Sequence, residues 1–123
     1  MTEPTHPPDR LSTRVTHPTP TAAVLHVGGE LDLFTAPVVD SYIARQLTDK
    51  PTTHLVLDLT EITFFGSAGV ATLVRASESA AEHDVMLILA AASRVVLRPL
   101  QVTGIASLLT IRESLEAAIA ACA

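Results

Sequence analysis

The pattern of apolar and polar residues predicts a chain in which strands and helices alternate. Two runs rich in Val and Leu, at 54–59 and 85–90, have the length and composition of strands buried on both faces of a sheet. Near the start, residues 11–17 alternate between apolar and polar positions, and a largely apolar stretch at 21–27 follows a Pro-Thr-Pro turn. These two stretches predict an antiparallel hairpin whose second strand is stopped by Gly28-Gly29.

Apolar residues at intervals of three and four predict helices between these strands. One helix spans 36–47, with Thr35 as its N-cap and Pro37 in its first turn, where the missing N–H costs little. A second helix follows Ser67 and runs to about Glu82. The remaining predicted elements are a helix from the N-cap Ser93 to Thr103 closed by Gly104, a short strand at 108–110, and a last helix ending near Ala121.

After the opening hairpin each strand is followed by a helix, in the order β-β-α-β-α-β-α-β-α. Such alternation implies right-handed crossovers between parallel strands. We therefore predict an α/β fold with a mixed, mostly parallel sheet flanked by about four α-helices. Residues 11–121 form one domain of this kind, and residues 1–10, interrupted by three prolines, form a flexible N-terminal tail. The predicted core includes Leu55, Leu57, Val70, Leu73, Leu87 and Leu89.

Composition narrows the class of protein. The 123 residues suffice for one domain with a core, and because 48% are hydrophobic but only 3% aromatic, that core is aliphatic. The net charge of −5 and the lack of a basic run argue against binding to nucleic acid or to an anionic membrane surface. No apolar run approaches the roughly 18 residues of a membrane span, so we expect no direct membrane insertion. A single cysteine, Cys122, excludes an intramolecular disulfide and favours a cytoplasmic location.

The chain lacks the motifs of common hydrolases and nucleotide-binding enzymes. Ser67-Ala68-Gly69 follows a predicted strand, as in a nucleophile elbow, but Phe65 occupies the first glycine position of Gly-x-Ser-x-Gly. A phosphate-binding P-loop is excluded because no Gly-Lys-Ser/Thr is present. We therefore expect no enzyme activity, no catalytic residues and no cofactor.

The titratable residues do not form an obvious metal site. The five histidines show no helical pairing with a glutamate, and His26 and His54 are expected on strand surfaces. Asp58 and Glu61, near the end of a predicted strand, could form an acid/base pair, but a solvated turn is the favoured interpretation. No metal is expected.

The most informative segment joins the strand at 54–59 to the helix that follows it. Gly66-Ser67-Ala68-Gly69 puts a small hydroxyl residue where a buried strand meets a helix. The first N–H groups of that helix lack partners within it and form a positive end, beside small residues that allow close approach. Ser67 could act simply as the helix N-cap, or its hydroxyl could be a functional group at this surface.

This segment resembles the signature of STAS domains, and specifically of anti-sigma factor antagonists. In those proteins an apolar strand is followed by Asp-Ser-Ser/Ala-Gly and an apolar helix, and the partner kinase phosphorylates the first serine. Ser67 holds that position here, while Gly66 replaces the aspartate. A second segment, Gly29-Glu30-Leu31-Asp32 with Thr35-Ala36-Pro37, matches the Gly-Glu-Leu-Asp-x-x-Thr-Ala-Pro loop of the family. The resemblance covers residues 11–121 and implies a partner-binding surface made of Glu30, Asp32, Thr35, Gly66, Ser67, Ala68 and Gly69.

The resemblance implies a binding module without catalysis of its own. Its unphosphorylated form would bind an anti-sigma factor, a serine kinase of the GHKL ATPase type, and so release the sigma factor. Phosphorylation of Ser67 by that kinase would dissociate the complex, and a phosphatase would reset it. Two alternatives remain open. One is a STAS accessory subunit of an ABC-type lipid transporter, which needs no phosphorylation and therefore suits Gly66; the other is a small-ligand or nucleotide sensor.

Overall fold

The computed structural model describes residues 10–122, so residues 1–9 of the tail predicted at 1–10 lie outside them. The described residues form five strands, four α-helices and one short 3-10 helix. The strands are β1 Leu11–Thr19, β2 Ala22–Leu31, β3 His54–Phe65, β4 Met86–Ala90 and β5 Thr110–Arg112. The helices are α1 Ala36–Leu47, α2 Ser67–Glu82, α3 Arg94–Val102 and α4 Leu115–Ala120, and the 3-10 helix is Ile105–Leu108.

The five strands form one mixed sheet in the order β1-β2-β3-β4-β5. β1 and β2 are antiparallel, and every other neighbouring pair is parallel. The long central strand β3 pairs with β2 along most of its length, but with β4 only from His54 to Asp58. The predicted α/β fold, with its mostly parallel sheet and four flanking α-helices, is confirmed.

The two faces of the sheet are covered unequally. On one face α1, α2 and α3 pack over the side chains of Leu25, Leu57 and Leu89, and this is the main core. On the other face α4 contributes Ala118 to a smaller cluster that includes Val56. Of the predicted core residues, Leu55, Leu57, Leu73 and Leu89 are buried, while Val70 and Leu87 are half-buried and pack against the core.

β3 is longer than the sequence predicts. The strand was expected to end at Leu59 because Thr60 and Glu61 are polar, but it continues to Phe65. Opposite β2 the register shifts between the pairs His26–Asp58 and Gly28–Glu61, so β3 carries one extra residue in this interval. Such a bulge keeps the strand in the sheet while it re-aims the side chains, and so the polar residues interrupt the pattern without ending the strand.

β2 also continues beyond its predicted end at Gly28-Gly29, as far as Leu31. Gly29 has a positive φ of 93°, and a β-carbon there would collide with the carbonyl oxygen of Arg10. Because only glycine tolerates both conditions easily, Gly29 lets the backbone of β2 pass close to the start of β1. The N–H of Glu30 donates to that same Arg10 carbonyl oxygen at 2.6 Å.

The last predicted strand is present, but its predicted bounds of 108–110 are wrong, because β5 spans Thr110–Arg112. Leu108 ends the 3-10 helix, and β5 begins at Thr110, which pairs with Ile88 of β4. The predictions for α3 hold, since the Ser93 hydroxyl accepts a bond from Val95 N–H and Gly104 follows the helix with a φ of 79°. α4 begins after Ser114, whose hydroxyl accepts from Ala117 N–H.

Candidate functional site

Two segments meet at the ends of β2 and β3, because these strands are parallel neighbours. Leu31 and Phe65 are the last paired residues, so the loop before α1 and the start of α2 leave the sheet side by side. The N–H of Gly66 donates to the carbonyl oxygen of Leu31 at 3.1 Å, which ties the two segments together. The two motifs that lie 35 residues apart in the sequence are therefore adjacent in space.

The loop between β2 and α1 is held by Asp32 and Thr35. Oδ1 of Asp32 accepts bonds from the backbone N–H groups of Phe34 at 2.9 Å and Thr35 at 3.0 Å. Oγ1 of Thr35 accepts from the N–H of Asp32 at 2.9 Å and lies 2.8 Å from the carbonyl oxygen of Glu30, to which it donates. This reciprocal pattern fixes the loop, as the side chains of Asx and ST turns commonly do.

Thr35 has the N-cap position of α1, as predicted, but its hydroxyl does not cap the helix. The side chain is fully buried and points back into the loop, where its hydrogen bonds are made. Thr35 therefore determines the shape of the loop and offers no surface of its own.

Arg10 braces this loop from the start of the hairpin. Its guanidinium group forms ion pairs with Asp32 and with Glu30, the latter with Nε 3.3 Å from Oε1. It also lies 5.9 Å from the ring centroid of Phe34. Sequence reasoning missed this residue, because nothing local distinguishes an arginine whose partners lie 20 and 22 residues away.

Ser67 is the first residue of α2, and its side chain is exposed. The N-cap of that helix is Gly66, in an extended conformation with φ −96° and ψ −171°, so Ser67 is not the cap. Among the residues described, none forms a hydrogen bond with the Ser67 hydroxyl. The hydroxyl is therefore free to react or to contact a partner.

An open cleft of about 460 Å³ surrounds Ser67. Leu33 and Phe64 form apolar walls, and both are exposed, at 75% and 51% of their surface. Asp32 contributes to the rim. The remaining lining residues are Gly66, Ala68 and Ala71. The small residues leave Ser67 unobstructed, while the walls add an apolar surface that a partner could cover.

Gly69 is buried, unlike its neighbours in the motif. A β-carbon at this position would lie 2.7 Å from Cε1 of Phe65. Gly69 therefore acts through packing beneath the site. The resemblance singles out seven residues. Four of them share the cleft: Asp32, Gly66, Ser67 and Ala68. Glu30 is half-buried beside Arg10, and Thr35 and Gly69 are buried.

The sequence predicted a solvated turn around Asp58, and this prediction is wrong. Asp58 sits inside β3, where its side chain is 8% exposed, and Oδ2 lies 2.7 Å from Nδ1 of His26 on β2. Burial alone would raise the pKa of Asp58, but hydrogen bonds from Thr60 and His26 outweigh burial, so the pKa is lowered. Sequence reasoning missed this pair, because His26 and Asp58 stand opposite each other only through the register of β2 with β3.

Two further features of residues 10–122 bear on other functions. No set of three His, Cys, Asp or Glu side chains in this part of the chain is arranged to hold a metal ion. None of the helices described is long and apolar enough to cross a membrane.

Comparisons with known proteins agree with this architecture. The family model of the STAS domain matches residues 13–118. The anti-sigma-F factor antagonist RsfB of Mycobacterium tuberculosis is 37% identical over 83 residues, which span 68% of this chain and 66% of the relative, slightly less than two thirds of its length.

Solved structures extend the comparison over nearly the whole chain. An anti-sigma factor antagonist from Mycobacterium paratuberculosis superposes with a TM-score of 0.83 at 28% identity, covering 94% of this chain and 96% of the other. The Bacillus cell fate determinant SpoIIAA in its phosphorylated form gives a TM-score of 0.71 at 18% identity, with 91% and 100% covered, and this likeness shows the fold alone. The chain belongs to the STAS domain family and is homologous to anti-sigma factor antagonists.

Proposed function

We propose that this protein is an anti-sigma factor antagonist that binds an anti-sigma factor through the cleft around Ser67 and thereby releases a sigma factor. The observation that carries the proposal is the exposed Ser67 at the start of α2, in one cleft with Asp32 and with no hydrogen-bond partner for its hydroxyl among residues 10–122. The homology to antagonists gives this geometry its functional context. As a regulator of transcription without catalysis of its own, the protein would act in the cytoplasm.

The binding surface has a rigid base and an accessible rim. Asp32, Leu33, Phe64, Ser67 and Ala68 offer exposed or half-buried atoms to a partner. Glu30 extends this surface where Arg10 leaves its carboxylate partly free, while the buried Thr35 and Gly69 hold the two segments in place. We infer that the partner covers the apolar walls and contacts the serine hydroxyl between them.

Phosphorylation of Ser67 would switch this binding off. A phosphate adds about −1.5 to −2 charges at neutral pH and three strong acceptor oxygens. It would stand between two apolar walls and beside the carboxylate of Asp32, in an interface fitted to a small neutral hydroxyl. Unpaired, desolvated phosphate charge costs several kcal/mol, which corresponds to a loss of affinity on the order of 100-fold or more.

The kinase would be the anti-sigma factor itself, of the GHKL ATPase type, and a phosphatase would restore the binding form. Gly66 bears on the rate of this cycle, because it lacks the carboxylate that the family pattern places beside the serine. We infer that phosphorylation is slow and that the domain stays long in its binding form.

The proposal is tested by capturing partners from native lysate with the full chain and identifying them by mass spectrometry. Capture of a kinase-fold anti-sigma factor, followed by modification of Ser67 when that partner and ATP are added, supports the proposal. Gly66 favours one second candidate, a STAS accessory subunit that binds a transporter ATPase and needs no phosphorylation. Capture of such an ATPase, with Ser67 unmodified, would replace the first function by the second.

A further inference from the structure

Thr16, His26 and Asp58 form a continuous hydrogen-bonded chain across β1, β2 and β3. Nε2 of His26 lies 2.9 Å from Oγ1 of Thr16, and Nδ1 lies 2.7 Å from Oδ2 of Asp58. Three adjacent strands of one sheet hold the three side chains, so their relative positions are fixed by the backbone ladder. The chain of bonds is separate from the cleft around Ser67.

Hydrogen-bond partners assign a role to each atom. Oδ1 of Asp58 accepts from the N–H of Thr60 at 3.1 Å and from its hydroxyl at 2.7 Å, which fixes the carboxylate. A carboxylate accepts only, so neutral His26 carries its proton on Nδ1 and leaves Nε2 as an acceptor. The Thr16 hydroxyl then donates to Nε2. Hydroxyl, imidazole and orienting carboxylate have the mutual geometry of an activated nucleophile.

The surroundings leave the hydroxyl within reach of a small molecule. Thr16 is half-buried on β1, which is an edge strand of the sheet. Arg14 is exposed, stands directly opposite His26 in the register, and lies two residues from Thr16 on the same face of the strand. Arg14, His26 and Asp58 line an open cleft of about 230 Å³. Thr16 is not one of its lining residues and adjoins it through the bond to His26. A cation beside the nucleophile can stabilise negative charge that develops on an attacked carbonyl oxygen.

We propose that Thr16 is an acyl acceptor that takes a small acyl group from an activated ester. Oγ1 of Thr16 attacks the carbonyl carbon while Nε2 of His26 takes the hydroxyl proton, and Arg14 faces the oxyanion. The bond from the carbonyl carbon to the leaving oxygen then breaks, and the proton on Nε2 passes to the departing alkoxide. The products are a Thr16 ester and a free alcohol, with no change of oxidation state. His26 is the general base, and Asp58 is a positioning residue.

The chain contains its own control for this chemistry. Oγ1 of Thr53 lies 2.9 Å from Nδ1 of His54, so a second threonine hydroxyl also contacts an imidazole. Within residues 10–122, His54 has no carboxylate partner. Thr53 is exposed, so access favours it over the half-buried Thr16. The Thr53 hydroxyl also donates to the carbonyl oxygen of Thr21 at 3.3 Å, which competes with donation to His54. Orientation by Asp58, the nearby Arg14 and the lack of such a backbone acceptor within residues 10–122 favour Thr16.

The experiment incubates the full chain with p-nitrophenyl acetate and follows acetylation of each residue by peptide mass spectrometry. We expect Thr16 to be acetylated at least ~100-fold faster than Thr53, since a positioned general base contributes roughly 10²–10⁴-fold. Thr16→Val should abolish this adduct, and His26→Gln should slow it by at least ~100-fold, in variants whose circular dichroism matches the parent. If His26→Gln does not fold, the test rests on the unaltered chain, in which the acetylation rate of Thr16 is compared with that of Thr53.

Three outcomes would overturn the proposal. Equal acetylation of Thr16 and Thr53 would show that the orienting carboxylate confers no reactivity. An acetyl group that remains on His26 would make the imidazole the acceptor. Unchanged acetylation of Thr16 in a folded His26→Gln variant would leave the hydrogen-bonded chain a purely structural feature of the sheet.

Discussion

The ring of Phe65 lies directly against the backbone of Gly69, so close that a β-carbon at residue 69 would stand 2.7 Å from Cε1 of the ring. Phe65 ends β3 and Gly69 lies in the first turn of α2, and both are buried. The missing side chain at Gly69 therefore sets how closely the helix that carries Ser67 packs against the strand before it.

Gly69→Ala should destabilise the protein. Alanine favours a helix over glycine by up to about 1 kcal/mol, but overpacking a buried contact costs about 1–3 kcal/mol. We expect a net loss of about 1 kcal/mol in the free energy of unfolding, measured by urea denaturation. The matched control is Gly69→Ala in a Phe65→Leu background, because the smaller side chain removes the ring that the added β-carbon would meet. An equal cost of Gly69→Ala in both backgrounds would contradict this account.

Ser67 variants separate binding from switching. Ser67→Ala should bind the anti-sigma factor with affinity within about threefold of the parent and should accept no phosphate. Ser67→Glu should bind at least tenfold more weakly, because a carboxylate supplies part of the charge of a phosphate between the apolar walls. Isothermal titration calorimetry with the purified partner measures both. If Ser67→Glu bound as well as Ser67→Ala, charge at this position would not control the complex.

Gly66→Asp should restore the family pattern without cost to the fold. Residue 66 has a φ of −96°, which any residue adopts, and an aspartate at an N-cap accepts bonds from the first free N–H groups of a helix. We expect equal or slightly greater stability and faster phosphorylation of Ser67, measured by phosphate incorporation with the cognate kinase. An unchanged rate in the folded variant would mean that Gly66 does not limit the switch.

Leu33 is the cleanest probe of the cleft. Its side chain is 75% exposed beside Ser67, so Leu33→Ala removes partner contact area while it leaves the core intact. We expect partner affinity to fall about tenfold, because a leucine side chain covered by the partner contributes roughly 1.5 kcal/mol through the apolar surface removed from water. Leu108→Ala is the control, because Leu108 is 71% exposed but lies outside the cleft. Equal binding by both variants would remove the loop from the interface.

Asp32 is a poorer probe than its sequence position suggests. Its carboxylate bonds two backbone N–H groups of the loop and the guanidinium group of Arg10. Asp32→Arg would therefore break the loop as well as reverse a surface charge. A loss of binding in that variant would not separate the two effects.

Asp58 should make stability depend on pH in the acid range. Its pKa is lowered from the ordinary value of 3.8 in the folded protein. The ionised carboxylate therefore contributes stability that is fully present above about pH 3.8 and is lost as the pH falls through the folded value. The parent should exceed Asp58→Asn in stability at pH 6, and the difference should shrink below pH 3.8. A difference between the parent and Asp58→Asn that stays constant across this pH range would contradict the shift.

Local patterns in the sequence predicted the fold well. The bounds of α1, the Ser93 cap and the role of Gly104 follow from short-range chemistry, because capping and apolar spacing act within a few residues. The family resemblance implied that the segments around Asp32 and Ser67 share one surface, and the parallel pairing of β2 with β3 brings these segments side by side.

The misses concern pairing between distant residues. Thr60 and Glu61 were taken to end β3, because the bulge that accommodates them depends on the register with β2. The contact between His26 and Asp58 depends on that same register. Local periodicity carries no information about which residues of neighbouring strands stand opposite each other, so these features emerge only in the folded sheet.

The bond from Gly66 N–H to the Leu31 carbonyl oxygen makes the β2–α1 loop and the start of α2 one preorganised body. A partner that binds here has little backbone left to immobilise, so most of the entropy of ordering this surface has already been spent in folding. If Ser67 is phosphorylated as proposed, the phosphate would need no conformational equilibrium to shift, because the altered surface would itself be the signal. Such a device would respond as fast as a kinase and a phosphatase act on it, and its output would depend on the fraction of molecules modified.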